Sequence, residues 1–365
     1  MSKFFKVSLL LVIFSLICAS GAAAGVCYDI IDMKTGQTVY QTAWPVRVQD
    51  EFLTGDNKRY KIKKVDGNTA EAEFIGSHSF SALKDFYRGD FLEKRAFAAE
   101  KPLVGVYHTH NDESYVKTDG EESSDSGNGG ILKVGDAFTK ALEKNGLTVI
   151  HATDSHIPHD NMAYERSRRT AARLVKEQPA AIFDLHRDAT PPEAYQGEVN
   201  GEAITQVQLV VGKYGPTGKQ IEDYALQIKK AADEEYPGLV KGIFFAKGGD
   251  YNQDLHAHSM LLEVGSHTND RHQAQRGIEL FANVVPKVLN IKSAEAAPSE
   301  TLANSAYAQK EETGAYKSAM YILLAFLGGT IIYVYVGSGS MAEARSKAVH
   351  FFTREFNDVF GKKKK

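Results

Sequence analysis

Disulfide chemistry has almost no material here: the 365 residues hold two cysteines, Cys18 and Cys27, which excludes a disulfide-stapled scaffold. An excess of positive charge is also missing. With 43 Lys and Arg against 46 Asp and Glu, a formal charge of −3 and a pI near 6.5, the chain lacks the basic footprint of a polyanion binder, so nucleic acid is not an expected partner. No internal repeat occurs, and a hydrophobic content of 43% with 24% charged residues excludes a chain too polar to fold.

Long apolar runs are confined to the ends. Lys3 and Lys6 precede the stretch Val7 to Ile17, and small residues follow up to Ala22-Ala23-Ala24. This order predicts a signal peptide over residues 1–24, with an uncleaved N-terminal anchor as the alternative. Removal of the signal would take Cys18 away and leave Cys27 alone. The second run, Ala319 to Val336, carries no charge over eighteen residues and has tyrosines towards its ends. It predicts a transmembrane helix over 319–336. Arg345, Lys347, Arg354 and Lys362 to Lys365 follow it, against only Glu343, Glu355 and Asp358. The basic tail at 337–365 is therefore expected in the cytoplasm, and the body outside a cell membrane that the chain crosses once.

Between the ends the pattern changes twice. Residues 27–95 alternate apolar and polar side chains between turns, as in Tyr60 to Val65, Asp66-Gly67-Asn68 and Ala70 to Phe74, and predict a small β-rich module serving as spacer or docking element. Over 100–290, short apolar runs alternate with helical periodicity. Strands are expected at Leu103 to Tyr107, Leu147 to His151, Ala180 to Leu185, Gln206 to Val211 and Met260 to Val264. One helix carries Ile131, Val134, Phe138, Ala141 and Leu142 on a single face and stops at Asn145-Gly146; others span about 161–176, 217–235 and 269–289. The expected fold is α/β, a mostly parallel sheet flanked by helices. The polar stretch 291–317 reads as a linker to the anchor, and the Ser, Asp and Gly-rich loop 119–130 as mobile.

Three of these strands end in groups that bind metal or move protons: Tyr107 leads into His108, Leu185 sits between Asp184 and His186, and Leu261-Leu262 runs into Glu263. Ligands bind beyond the carboxyl ends of parallel strands, so the three ends should converge. His108, His186 and Glu113 would hold a tetrahedral Zn2+ with one position open for water, and Glu263 would serve as general base. His110 competes with Glu113 for the third ligand or orients a neighbour. Arg187 and Asp188 are candidates for support or substrate contact, while His151, His156, His159, His256, His258 and His267 read as loop residues. The run His108-Thr109-His110-Asn111-Asp112 also satisfies the H-x-H-x-D core of metallo-β-lactamase-type hydrolases, but Glu113 stands where that motif places histidine.

The segments Val106 to Tyr115, Asp184 to Ala189, Asn252 to Leu255 and Leu261 to Asn269 together resemble the stage II sporulation protein P family, in order, over about residues 100–290. The resemblance implies a zinc-dependent N-acetylmuramoyl-L-alanine amidase acting on peptidoglycan, with peptide cleavage in some members, and a zinc amidase-like fold. His108 and His186 fall on the family's histidines and Glu263 on its catalytic glutamate. In the wider zinc amidase family the ligand glutamate lies further along, near a helix start, where this chain has Asn128. The family implies septal wall remodelling during engulfment, with stage II sporulation proteins D and M as partners. Its members resemble N-terminally anchored proteins, whereas this chain has a signal-like start and a C-terminal apolar run. A wall-binding scaffold without activity is the rival reading from another class.

Overall fold

The computed structural model describes residues 27–80 and 101–289, apart from 214 and 216. The expected signal peptide, linker, transmembrane helix and basic tail lie outside the described residues. No helix among the described residues is long and apolar enough to cross a membrane.

Five strands come first: β1 (Tyr28–Asp32), β2 (Thr38–Thr42), β3 (Glu51–Thr54), β4 (Lys58–Asp66) and β5 (Thr69–Ser77). The remainder runs β6 (Leu103–Tyr107), α1 (Val116–Asp119), α2 (Ile131–Lys144), β7 (Thr148–His151), α3 (Ala163–Lys176), β8 (Ala181–Asp188), β9 (Gln196–Val199), β10 (Glu202–Thr205), β11 (Val207–Gly212), α4 (Gly218–Glu235), β12 (Val240–Ala246), β13 (Ser259–Ser266) and α5 (Arg271–Val288). The helix expected to stop at Asn145-Gly146 does so, with Gly146 at φ 84°, where a side chain would be strained.

All strands except the β9–β10 hairpin form one eleven-stranded sheet in the order β2-β1-β5-β4-β3-β12-β11-β13-β8-β6-β7. Within it β7, β6, β8 and β13 are mutually parallel and β11 is parallel to β12, but β11 is antiparallel to β13. The sheet is therefore mixed where a mostly parallel one was expected. The cause lies in the connections: β8 to β11 passes through the β9–β10 hairpin and β12 to β13 through a loop with one 3-10 turn, so neither has the crossover helix that returns a strand in parallel.

The β-rich N-terminal stretch is not a separate spacer. β3 pairs antiparallel with β12, Phe52 opposite Phe244, and the two rings stack at 4.6 Å. Ile30, Phe52, Tyr60 and Ile62 share a core with Val210, Phe244 and Leu261. These strands thus cover part of one sheet face, and α3 covers another part through Ala171 and Leu174 against Tyr107 and Ile182. The opposite face carries α2, α4 and α5 over Val104, Val106, Phe183, Leu185, Leu262 and Val264.

One buried cation stands out at the seam between the strand groups. Lys241, at the start of β12, is 9% exposed; its Nζ donates to the Gln41 carbonyl and lies 3.8 Å from the Tyr195 ring centroid. Burial, only partly offset by nearby Asp188, pulls its ammonium down to about 8 from 10.5. The unfolded chain keeps that proton up to about pH 10.5, so the folded state gains stability as pH rises from about 8 to 10.5. Replacing the charge by an apolar side chain of similar length removes the penalty. Lys241→Met is expected to raise unfolding free energy by about 1–3 kcal/mol at pH 7, with the advantage gone near the unfolded pKa. Urea unfolding of both proteins at the two pH values measures it, and equal midpoints at pH 7 would refute the burial argument.

Candidate active site

Side chains alternate along strands, and this alternation decides which strand-end residues meet. On β8, Phe183 and Leu185 face the helices α2 and α5, so Asp184 and His186 face the other way. On β13, Leu262 and Val264 face the helices and Leu261 the N-terminal strands, so Glu263 shares the His186 face; the two residues are directly paired in register. On β6, Val104 and Val106 face the helices, and His108 continues their parity.

His108 is accordingly turned away from the other expected zinc ligands. Its Nδ1 lies 3.1 Å from the Leu185 carbonyl and its Nε2 2.8 Å from His151 Nε2, against α2 where Gly135 leaves room for both rings. His110, two residues on, lies near His186, with ring centroids 5.3 Å apart. Together with Glu113, His159, Tyr164, His186, Arg187, Asp188, Trp44 and Glu263 it lines an open cleft of about 240 Å³ past the end of β6 and along the carboxyl-terminal halves of β8 and β13. Asn128 is exposed and bonds Ser126, outside that cleft.

Each cleft group has a defined setting. His186 Nδ1 lies 3.6 Å from Glu113 Oε1, and its Nε2 lies 3.0 Å from Asp184 Oδ1, so Nδ1 is the atom turned to the cleft. Asp184 is itself held by Thr109 through its backbone N–H and hydroxyl. Burial disfavours the charged imidazole, but the carboxylates of Asp184 and Glu113 outweigh it and hold His186 well above the usual histidine range. Glu113 Oε2 accepts from the Arg187 backbone N–H at 2.8 Å. His110 stacks on His159 with ring centroids 3.9 Å apart, and burial beside other cationic groups keeps it neutral; its Nδ1 is buried without a hydrogen-bond partner. His159 Nδ1 in turn lies 3.0 Å from Asp112 Oδ2, and ligand atoms of His110, Asp112 and His159 lie within 4.8 Å of one another.

Glu263 is 2% exposed, with Oε1 accepting from the Trp44 indole N–H at 2.7 Å and Oε2 buried without a partner. Burial, then the negative charges of Asp188 and Glu113, push its carboxyl well above the usual range, against the pull of His186 and Trp44. Asp188 ties the N-terminal strands to the site: its carboxylate accepts from Thr42 Oγ1, the Ala43 N–H, the Ala189 N–H and the Tyr195 hydroxyl. The loop 119–130, expected to be mobile, is anchored on the same cluster. Ser124 N–H donates to the Asp112 carbonyl and Ser123 Oγ to its carboxylate, and Gly129 passes so close to Glu113 that a Cβ would meet its carbonyl at 2.1 Å.

A sequence profile described as Stage II sporulation protein P (SpoIIP) matches residues 40–286, more than half of the chain. The chain belongs to this family. A family member from Bacillus subtilis (strain 168), named Stage II sporulation protein P, is 31% identical over 256 residues, which is 65% of this chain and 62% of that protein. The chain thus matches less than two thirds of its relative's length. Among solved structures, the CwlD amidase from Clostridioides difficile in complex with the GerS lipoprotein matches at a TM-score of 0.36 with 12% identity, covering 53% of this chain and all of that one. The N-acetylmuramyl-L-alanine amidase Ami1 from Mycobacterium smegmatis matches at a TM-score of 0.38 with 14% identity, covering 53% and 99%. The family profile begins at residue 40, so it includes Trp44, Thr42 and the strands β3 to β5 along with the histidine motifs.

Trp44 and His159 were not legible as site residues. Nothing near Trp44 in the sequence carries chemistry, and His159 sits in a polar loop; only the fold brings both to the cleft.

Proposed function

We propose that this chain is a zinc-dependent peptidoglycan hydrolase of the N-acetylmuramoyl-L-alanine amidase type, cleaving the amide between glycan and stem peptide during wall remodelling in sporulation. The observation that carries the reading is the grouping of His110, Glu113 and His186 around a cleft also lined by Glu263, whose Oε2 is buried without a hydrogen-bond partner. Two imidazoles and a carboxylate suit zinc, the His110 Nδ1 lacks any hydrogen-bond partner, and the Asp184 carboxylate lies 3.0 Å behind His186 Nε2, on the side a supporting group would take. Bound by these residues, zinc would supply an acidified water and polarise the scissile carbonyl.

The chain's own residues do the rest. Glu263 Oε2 takes a proton from the attacking water and delivers it to the leaving nitrogen. Burial of the carboxyl suits it to hold that proton between the two steps. Trp44, Tyr164 and His159 wall the cleft and limit water around the reacting groups. The expected topology, body outside the membrane with one C-terminal anchor, would place the cleft against the wall, and stage II sporulation proteins D and M would act beside it.

Mass spectrometry of purified peptidoglycan incubated with the full chain tests this reading. Stem peptides released with a free L-alanine amine, dependent on zinc and abolished by chelator, are the expected products. Cuts confined to the peptides would make it an endopeptidase, and zinc-loaded protein that binds wall without products would favour the scaffold.

A further inference from the structure

The chain has a single tryptophan, and it lies in the connection between β2 and β3 that sequence reading left without a role. That connection is clamped at both ends. Asp188 holds Thr42 and the Ala43 N–H, while Asp50 accepts from the Arg47 N–H at 2.7 Å and the Lys247 N–H at 2.8 Å. Between the clamps the Trp44 ring meets Tyr251 edge-on at 4.9 Å and Phe244 at 6.1 Å. A ring fixed on two aromatic neighbours has one polar atom, the indole N–H, and that atom is spent on Glu263 Oε1. The other oxygen, Oε2, is buried and free of any hydrogen bond.

The geometry points to Trp44 as the positioning residue for the reaction proposed above: its N–H locks the Glu263 carboxylate by one oxygen and so fixes the direction of the other, on a residue that lines the cleft. A carboxylate without that bond rotates about its last torsion, which is a broad, low-barrier one, and offers either oxygen in a range of directions. Held by a charge-assisted bond, it offers one. The inference rests on the hydrolase reading, and it makes the N-terminal strands part of the active site. Glu263 sits in the carboxyl-terminal half of β13, and the group that aims it comes from the connection after β2, the far edge of the strand order.

Two measurements on the full-length chain test it, one of them independent of activity. Selective 15N-indole labelling gives one side-chain N–H resonance because there is one tryptophan. In the unmutated chain its proton should lie downfield, as for a donor to a carboxylate, and move upfield in Glu263→Ala; an unchanged shift would overturn the contact. For activity, Trp44→Phe and replacement of the indole by its benzothiophene isostere, which has sulfur in place of N–H, are compared on purified peptidoglycan with zinc. The isostere keeps the packing, so it isolates the bond. Loss of one charge-assisted hydrogen bond corresponds to about a 10- to 100-fold lower turnover, with wall binding in a pelleting assay unchanged. An isostere as fast as the parent chain would refute the positioning role. A parent chain that yields no products while its indole shift responds to Glu263→Ala would instead fail the hydrolase reading and leave the contact standing.

Discussion

Glu263→Gln is expected to lower peptidoglycan hydrolysis by about 10²- to 10⁴-fold while zinc content stays at the parent level. The carboxamide has the volume of the carboxylate and its oxygen can still accept the Trp44 N–H, so the local packing survives. What it cannot do is accept and return a proton at the position of Oε2, the atom that lacks any partner. Burial and the charges of Asp188 and Glu113 act on Glu263 together and, against the pull of His186 and the Trp44 hydrogen bond, favour the protonated carboxyl. A dication held by His110, Glu113 and His186 would oppose this and leave the group poised between its two forms, as a base that later acts as an acid must be. Initial rates of stem-peptide release, with zinc measured on the same protein by elemental mass spectrometry, give the result. A variant retaining more than a tenth of the parent rate would remove Glu263 from the general-base role, and a variant that loses zinc would make it a ligand instead.

Much of the catalytic half was legible because its signals are local. The apolar runs that became β6, β8 and β13, and the helical face Ile131, Val134, Phe138 and Leu142, follow from periodicity alone. Convergence of three strand ends followed from one topological rule, and it places Glu113, His186 and Glu263 around a single cleft. The sheet's mixed direction was less accessible, because it depends on connections without crossover helices and on β12, a run of buried residues that the strand assignment passed over. The docking of the N-terminal strands on β12 is non-local: Phe52 and Phe244 meet across about half the length of the chain. His108 is different, since the information was present. Val104 and Val106 are the apolar partners of the helices, and a period of two carries His108 to their face and away from that of Asp184 and His186. Counting parity from the strand would have turned His108 away from that face; His110 has the same parity, but it lies past the end of β6, where the alternation no longer applies.

That parity makes a pair of neighbouring histidines separable by experiment. His110→Ala is expected to weaken zinc binding more than 100-fold, beyond the 10- to 100-fold typical of groups that only support a ligand, and to take hydrolysis to background. His108→Ala removes a ring that touches Leu185 and His151 behind the sheet, not a group lining the cleft. Its cost should appear in stability, about 1–3 kcal/mol from an unpartnered His151 Nε2 and the space left against α2, with zinc bound near the parent affinity. Glu113, Asp184 and His186 keep their mutual contacts in both variants because none of those contacts runs through either removed ring. Zinc titration and thermal unfolding of the two proteins therefore move in opposite columns. If His108→Ala loses the metal and His110→Ala keeps it, the ligand set read from the motif alone was right and the cleft described here is not where zinc sits.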